Sequence, residues 1–600
     1  MKDFNSHETD YRQRLATFSE QIKTIKSRRS KIAWLRLIIF VATIYLITLT
    51  WYSSTAATIA LFIAGLALFL RAISFDLDLK QKMQQLELLC RINERELRWL
   101  SGKYAEGQTG LQFAEDPHPY INDLDILGEN SLFQFLNRCT SEGGMRLLAK
   151  RLQNAQSPQM IQSIREGVKE LAPEIDWRQQ LEAYGLENPV SLRSKNKIEK
   201  WLLLPAIYTQ KGWPVLTYIF PVVGLTTIYC YLADILSLGT TTLVVIVLYL
   251  IALSVSKKIT VVYEAVSDIA GEINTLYYQL KQFESKKFQS AYLAAVQKSI
   301  QTENSETAVQ SIRKLEKVLN RFDVRHNMLA FPVLNTLMLW DLRQLIALNK
   351  WKKRNENNIL KWFDAIAEAE YCSSLASLHY NEPGWIFPTV AQNYFTLKGK
   401  EIGHPLIEKT KRVDNTFSIE GSGKIGLITG SNMGGKSTFL RSLGINMVLA
   451  LMGSPVCATQ FEVSEARLMT SMRISDNLAE NTSTFYAELK KLQWIIEAVK
   501  RKEKLFILLD EILRGTNSFD KHTGSKALIE QLIRENTVAV IATHDTELTI
   551  LKERYPDAIF NYHFDVQVEN EELYFDYKLK EGVCRSLNAS LLMKKIGIEV

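Results

Sequence analysis

A glycine-rich turn between an apolar segment and a helix-forming segment places the strongest constraint on how this 600-residue chain folds. Residues 425–428 predict a buried parallel strand, which is followed by Gly430, four residues, then Gly435, Lys436 and Ser437. In this spacing, backbone N–H groups of the turn and of the helix N-terminus point at phosphate oxygens. Lys436 is predicted to reach the β- and γ-phosphates of ATP, and the Ser437 hydroxyl to bind Mg²⁺. The turn is therefore predicted to be a phosphate-binding loop, or P-loop.

An acidic pair follows a second apolar segment. Residues 505–509 predict another buried strand, with Asp510 and Glu511 at its carboxyl end, the edge where ligands of open α/β sheets collect. Asp510 is predicted to hold Mg²⁺ through water, and Glu511 to orient or deprotonate the attacking water. A third strand is predicted at residues 538–542, and His544 after it is predicted to contact the γ-phosphate. The alternatives are helix capping for the acidic pair and an ordinary surface or core position for the histidine.

Four apolar stretches predict two transmembrane hairpins. Residues 37–52 and 55–72 are almost free of charge, and residues 213–232 and 235–255 form a second pair. Each stretch is near the length that crosses a bilayer of about 30 Å, and each connection is long enough only for a turn. Basic residues flank both pairs, so we expect a multi-pass protein of the inner (cytoplasmic) membrane with its termini and ATPase domain in the cytoplasm. Burial of both hairpins in a protein core is the alternative.

Composition says little about the binding partner of this chain and more about its fold class. The net charge of +7 is too widely spread to choose between nucleic acid and an anionic membrane surface. The six cysteines form no CxxC or Cys/His spacing, which argues against a zinc site or a disulfide framework. Apolar residues recur at three/four spacing after both hairpins, and from about residue 388 strands alternate with helices. We therefore expect an ABC-like, doubly wound α/β P-loop domain C-terminal to an all-α region.

Several motifs together resemble those of the MutS family of DNA mismatch-repair ATPases. GSNMGGKSTFLR, LLDEILRGTNSFD and ATHDTEL are similar to the family's motifs, in the same order and at similar separations. STFYAEL, residues 483–489, resembles the segment that reaches the partner subunit's nucleotide. Residues 124–152 and the YNEPGW sequence near Tyr380 are similar to the start and end of the family's helical lever. GHPLI, residues 403–407, is similar to the opening strand of the ATPase domain, and residues 577–598 to its closing helix region.

The resemblance implies ATP and Mg²⁺ as cofactors, a homodimer formed through the ATPase domains, and DNA as a partner. It implies Glu511 and His544 as catalytic residues, Ser437 and Asp510 as metal ligands, and Ser483 as a nucleotide contact in trans. The other predicted nucleotide-binding residues are Gly430, Asn432, Met433, Gly434, Gly435, Lys436, Ser437 and Thr438.

Combining the motifs with the apolar stretches predicts seven segments. These are a basic cytoplasmic tail (1–31), a first transmembrane hairpin (32–73), a helical connector (74–119), the first section of a MutS-like helical core (120–212), a second transmembrane hairpin (213–255), the second section of the helical core, or lever (256–387), and the MutS-type ATPase domain (388–600).

The chain also departs from the family pattern. Its first 120 residues are predicted to hold a tail, a hairpin and a helix, where MutS repair proteins carry a mismatch-reading domain. The sequence Phe18-Ser19-Glu20 matches that domain's Phe-x-Glu wedge by letter only, because a wedge needs a folded domain to carry it. Glu480, Asn481 and Thr482 stand where the family has a serine-glycine-basic run.

Two other functions are compatible with the same features. Membrane helices with a P-loop also suggest half of an ABC-type transporter, but the chain has only four predicted spans and no LSGGQ-like signature. A membrane scaffold that uses nucleotide to switch partners, without acting on DNA, is the third interpretation. The leading prediction is a membrane-anchored MutS-like ATPase that uses ATP to move helical levers.

Overall fold

The chain folds into a helical N-terminal region followed by a mixed α/β region. The structure is a computed structural model that describes residues 2–52, 54–267, 269–301, 306–431, 434–473, 484–569 and 572–583. The helices before the first strand are α1 (Lys2–Thr50), α2 (Thr55–Leu100), α3 (Leu132–Leu136), α4 (Glu142–Gln153), α5 (Pro158–Leu171), α6 (Ile175–Glu187), α7 (Leu192–Leu203), α8 (Gly212–Leu232), α9 (Leu238–Val266), α10 (Ala270–Ser285), α11 (Ala291–Ser299), α12 (Ala308–Phe322), α13 (Ala330–Met338), α14 (Trp340–Asn355) and α15 (Ile359–Asn381).

The C-terminal region begins close to the predicted change of pattern. Its strands are β1 (Thr389–Ala391), β2 (Thr396–Ile402), β3 (Asn415–Glu420), β4 (Ile425–Thr429), β5 (Gln460–Ser464), β6 (Arg467–Ser471), β7 (Leu505–Asp510), β8 (Val538–Ala542), β9 (Ile559–Glu569) and β10 (Glu572–Glu581). Its helices are α16 (Lys436–Leu451), α17 (Thr484–Lys500), α18 (Ser518–Arg534) and α19 (Leu551–Arg554).

Among the residues that the structure describes, four helices are long and apolar enough to cross a membrane: α1, α2, α8 and α9. They cover most of the four apolar stretches identified in the sequence, although residues 51–52 lie beyond α1 and residues 235–237 lie before α9. The apolar segments of α1 and α2 are exposed, whereas their polar segments pack on the helical region through a cluster that includes Ile25, Leu86 and Ile92. Arg29 pairs with Asp76 at 2.8 Å between these two helices. Each helix therefore combines an exposed apolar segment with a packed, charged segment.

The helical periodicity after the second hairpin is confirmed. Ile269, Ile273, Leu276 and Leu280 are all at most 2% exposed, and the last three lie on α10. The chain does not continue as one helix from the hairpin, because α9 ends at Val266 and α10 begins at Ala270. The region from residue 308 to residue 381 is helical as predicted, ending in the 23-residue helix α15.

The larger sheet has the strand order β10-β9-β4-β8-β7-β6, and β4, β6, β7, β8 and the beginning of β9 run parallel. Every residue of β4, β7 and β8 is buried, as continuous apolar runs predict for strands covered on both faces. Phe506 and Leu508 pack in the core that includes α16, whereas Ile507 and Leu509 pack with α17 and α18. Helices on both faces confirm a mixed α/β region with the predicted strands.

Two elements taken from the family resemblance differ in the structure. Residues 403–407, the predicted opening strand, form a turn, and the strand at this place is β2, which ends at Ile402. Residues 577–581, the start of the predicted closing helix region, belong to β10, which pairs antiparallel with β9. The part of that region from residue 584 to residue 598 lies outside the described residues.

Candidate functional site

The site is built at the carboxyl ends of β4, β7 and β8, where the chain leaves the sheet. Lys436 begins α16 and is 2% exposed, although it carries an ammonium group. Its Nζ donates to the carbonyl oxygens of Gly430 at 2.7 Å and Ser431 at 2.9 Å. A buried ammonium group requires such acceptors, so the backbone carbonyl groups of the turn bind the lysine side chain. Asn432 and Met433 lie outside the described residues.

Two glycines of this turn have no room for a side chain. Gly430 has φ 135°, and a Cβ added there would lie 2.6 Å from the carbonyl oxygen of Phe564. Gly435, the residue before α16, has φ 98°, and its added Cβ would lie 3.1 Å from the ring of Tyr577. Both backbone angles lie in the region that favours glycine. The glycine spacing read from the sequence therefore follows from packing against β9 and β10.

Ser437 and Asp510 form an oxygen pair beside the turn. The Ser437 hydroxyl donates to Oδ2 of Asp510 at 2.5 Å, across the gap between α16 and β7. Oδ1 of Asp510 is buried and accepts no hydrogen bond from the groups that the structure describes. A hydroxyl oxygen and a carboxylate with an orphaned buried oxygen fit Mg²⁺, which prefers oxygen ligands. The two residues predicted to bind the metal are thus adjacent.

Glu511 and His544 meet at the ends of β7 and β8. Nε2 of His544 lies 2.8 Å from Oε1 of Glu511 and 3.4 Å from Nζ of Lys436. Glu511 has φ 53°, and its N–H donates to the carbonyl oxygen of Ala542, which fixes the start of the turn after β7. Burial and the positive charge of Lys436 lower the pKa of His544. A neutral imidazole therefore faces the carboxylate that was predicted to activate water.

Arg514 and Glu488 are functional candidates that the sequence analysis did not single out. Nε of Arg514 lies 3.1 Å from Glu511, and its Nη2 lies 3.4 Å from Asp510. Glu488, on α17, is 5% exposed and accepts hydrogen bonds from the N–H groups of Leu513 at 2.6 Å and Arg514 at 3.2 Å. Burial raises the pKa of Glu488. This carboxyl group therefore anchors the turn that follows the acidic pair.

The predicted trans-acting segment lies next to the same turn. Ser483 is outside the described residues, which resume at Thr484, the first residue of α17. Phe485 packs so closely on Gly515 that a Cβ there would lie 2.6 Å from the Cβ of Phe485. Phe485 and Glu488 both belong to the STFYAEL motif, and Gly515 belongs to the RGTNSFD sequence. Their membership of these motifs is the sequence feature that could have pointed to the contacts of Phe485 and Glu488 with the turn after β7.

A cavity of about 420 Å³ lies on the other side of the glycine-rich turn. The cavity is lined by Gly435, at the end of the turn, and by Thr438, in the first turn of α16. Its wall also includes His404, Arg412 and Tyr577. Nδ1 of His404 accepts a hydrogen bond from the N–H of Leu406 at 3.3 Å. Burial, with Arg441 and Arg412 nearby, lowers the pKa of His404 to about 4. His404 is therefore a neutral, partly apolar wall of the cavity at physiological pH.

The arrangement defines a class of protein with an α/β domain whose sheet is covered by helices on both faces. At one edge of this sheet lie a glycine-rich turn that binds a lysine, the Ser437–Asp510 pair and the Glu511–His544 pair. Comparison with known proteins then shows which family the C-terminal region resembles. The sequence profile of MutS domain V matches residues 426–594. The family resemblance read from the motifs is therefore confirmed, and this chain is MutS-like over its C-terminal region.

Individual relatives agree with this assignment. The chain is 32% identical over 236 residues to the DNA mismatch repair protein MutS of Thermotoga sp. (strain RQ2), covering 38% of this chain and 29% of that protein. It is 36% identical over 222 residues to the same-named protein of Aquifex pyrophilus, covering 36% and 25%. It is 34% identical over 214 residues to MutS protein homolog 4 of Homo sapiens, covering 34% and 22%. The chain therefore spans less than a third of the length of each of these relatives.

Proposed function

We propose that this protein is a membrane-anchored, Mg²⁺-dependent ATPase of the MutS type. The observation that carries the proposal is the meeting of five side chains from three neighbouring strand ends. Lys436 and Ser437 follow β4, Asp510 and Glu511 end β7, and His544 follows β8, with hydrogen-bond or ion-pair contacts linking them. The P-loop assignment rests on this geometry together with the glycine spacing.

Each side chain has a distinct task in the proposed reaction. Lys436 would move from the carbonyl oxygens of the turn to the phosphates, since both are acceptors at the same place. Ser437 and Asp510 would hold Mg²⁺, which when bound neutralises charge on the phosphates. Glu511 would orient the attacking water and accept its proton, and neutral His544 would keep Glu511 in place. The 420 Å³ cavity beside Gly435 is large enough to take the nucleoside.

Contacts between the helical and α/β regions support the proposed lever movement. Tyr371, on α15, donates to the carbonyl oxygen of Met452, directly after α16, at 2.5 Å. Asp123 accepts hydrogen bonds from Thr470, the N–H of Arg473 and Lys491, all in the α/β region. A displacement of α16 or of the β6 end on nucleotide binding would therefore be passed directly to the helical region.

The test of catalysis uses two substitutions with opposite signatures. Lys436→Ala should weaken ATP binding, because it removes the charge that meets the phosphates. Glu511→Gln should retain ATP binding and slow hydrolysis by about 10²-fold or more, because the amide is no longer a base. Equilibrium binding of a fluorescent ATP analogue and phosphate release measure the two steps. Hydrolysis by Glu511→Gln at the rate of the unsubstituted protein would refute the assigned base.

DNA binding and the homodimer are proposed from the family resemblance. Two of the relatives are named DNA mismatch repair proteins, which motivates a search for salt-dependent binding of duplex or branched DNA by the full-length protein. ATP-dependent DNA binding would support the proposal. ATP turnover with no DNA affinity at low salt would favour the nucleotide-switched scaffold, and turnover stimulated by a solute in vesicles would favour transport.

Membrane anchoring is proposed from the four apolar helices and their exposed side chains. Residues exposed on these helices include Ile38, Phe62, Val222 and Leu250, which would face lipid. The protein should remain in the membrane pellet after extraction with alkaline carbonate and be released by detergent. Release by carbonate alone would contradict anchoring.

A further inference from the structure

A short apolar segment lies apart from the four long helices. Residues 327–340 include α13 and contain no charged side chain, although Arg325 and His326 precede them and Asp341 follows. Fourteen residues in helical form would extend about 21 Å, which is too short to cross a bilayer of about 30 Å. Apolar stretches of this length are typical of core helices or of re-entrant and interfacial segments. The burial pattern decides between these possibilities.

Three apolar side chains of the segment are exposed, whereas two of its polar side chains are buried. Met328 is 89% exposed, Leu329 is 86% exposed and Val333 is 56% exposed, whereas Asn335 and Thr336 are 6% and 7% exposed. A helix on the surface of a water-soluble protein turns its apolar side inward and its polar side outward. Leu339, at the end of the segment, is 1% exposed and packs in the core, so only the part around Met328, Leu329 and Val333 lacks protein cover. Apolar side chains exposed to this extent favour an apolar surrounding over water.

Asn335 and one carboxylate oxygen of Asp341 are hydrogen-bonded within the protein. Asn335 donates to the hydroxyl of Ser256 on α9 at 3.3 Å and accepts from the N–H of Asp341 at 3.2 Å. The carboxylate of Asp341 accepts from Ser256 and pairs with Arg325 at 3.0 Å. Arg325 and Asp341, which flank the segment, therefore lie close together beside Ser256 of α9. The chain enters and leaves the segment at this same place on α9.

The segment also packs on the second apolar hairpin. Helix α13 contacts both α8 and α9. A Cβ added to Gly224, in the middle of α8, would lie 2.9 Å from Leu337. Arg343, just after the segment, donates to the carbonyl oxygen of Thr217 nearer the start of α8. The exposed residues of α13 thus adjoin helices whose own outer side chains, such as Tyr218 and Val222, are more than 60% exposed.

We propose that residues 327–340 form a re-entrant segment that inserts Met328, Leu329 and Val333 among the lipid chains of the cytoplasmic leaflet. This inference rests on the proposed membrane anchoring, because the segment can enter lipid only where α8 and α9 do. The binding partner is the lipid bilayer rather than a protein, since the exposed apolar side adjoins the hairpin and the flanking charges lie on one side of it. The protein would then have a fifth membrane contact between its second hairpin and its lever.

The test places a benzophenone amino acid at one position at a time in the full-length protein, reconstituted in vesicles of clickable phosphatidylcholine. Leu329 reports the segment, Val222 reports the α8 span, and Asn357, in the exposed turn after α14, is the control. After illumination, lipid adducts are expected at Leu329 and Val222, with at least tenfold less at Asn357. Unchanged thermal unfolding midpoints show that each variant is folded.

The outcomes separate this inference from the anchoring proposal. Adducts at Val222 without adducts at Leu329 would overturn the re-entrant segment and leave the anchoring intact. Adducts at neither position would overturn both. Crosslinks from Leu329 to protein instead of lipid would also overturn the inference, because they would place a protein partner on the apolar side of α13.

Discussion

Replacing Glu488 with alanine tests how the turn after the acidic pair is held. The carboxylate is buried and accepts two backbone hydrogen bonds, from Leu513 and Arg514. A fully buried N–H that loses its partner costs about 1–3 kcal/mol, and because these two bonds are part-buried we expect the lower end, about 2 kcal/mol for both together. Even about 2 kcal/mol, if it all falls on positioning Glu511 in the transition state, slows hydrolysis about thirtyfold. ATP affinity should change much less, because Lys436 is not part of this turn.

Single-turnover hydrolysis and ATP binding, measured separately on the full-length protein, distinguish this effect from general misfolding. Glu488→Gln is the matched comparison, since its single carbonyl oxygen can still accept from one of the two N–H groups, and we expect a loss smaller than that of Glu488→Ala. Equal hydrolysis rates for Glu488→Ala and the unsubstituted protein would refute the reasoning. So would an equal loss of ATP binding and hydrolysis in Glu488→Ala, because the carboxylate would then support the whole site rather than the turn.

Further predictions concern the glycine-rich turn, the cavity and the metal site. Gly430→Ala should abolish ATP binding, because its Cβ would meet the Phe564 carbonyl oxygen at 2.6 Å, whereas Gly102→Ala, with φ 77° and nothing within 4 Å, should cost only about 1–2 kcal/mol in thermal unfolding. Because the folded-state pKa of His404 is lowered to about 4 from its ordinary value of 6.5, its contribution to stability is present above pH 6.5 and is lost as the pH falls toward 4. In denaturant titrations, His404→Asn should remove up to about 3 kcal/mol of that pH dependence, and an unchanged profile would contradict it. Asp510→Asn should remove the dependence of ATP binding on added Mg²⁺, measured by metal titration, because an amide is a weaker ligand than a carboxylate.

The strands that position the site could be predicted from the sequence. Residues 425–428, 505–509 and 538–542 are continuous apolar runs, and they form β4, β7 and β8 with shifts of at most one residue. Parallel strands bring their carboxyl ends to one edge, so the meeting of Glu511 and His544 follows from strand order. The role of each side chain in catalysis stays a prediction, as do the segment boundaries drawn from the sequence.

Contacts between distant segments could not be predicted. Glu488 and Leu513 lie on different elements, and no periodic pattern records that one binds the backbone of the other. Residues 403–407 were expected to be a strand from family resemblance, but they form a turn, where Asn446 donates to the Gly403 carbonyl oxygen from a distant position in the sequence. The exposure of Met328, Leu329 and Val333 could not be predicted either, because an apolar stretch in the sequence does not show which of its side chains are covered by protein.

In the proposed membrane-anchored protein, helix α1 sets the distance between the bilayer and the end of α15. Helix α1 is continuous from Lys2 to Thr50, and near its start Tyr11 donates to Asn381 at the end of α15 at 2.8 Å. From Tyr11 to residue 37, where the apolar stretch begins, a helix extends about 39 Å. A stiff spacer of this length would hold the lever end no further than that from the bilayer. In the proposed membrane-anchored protein, a molecule bound between the end of α15 and the bilayer would have to fit within this distance, so the anchor would also limit its size.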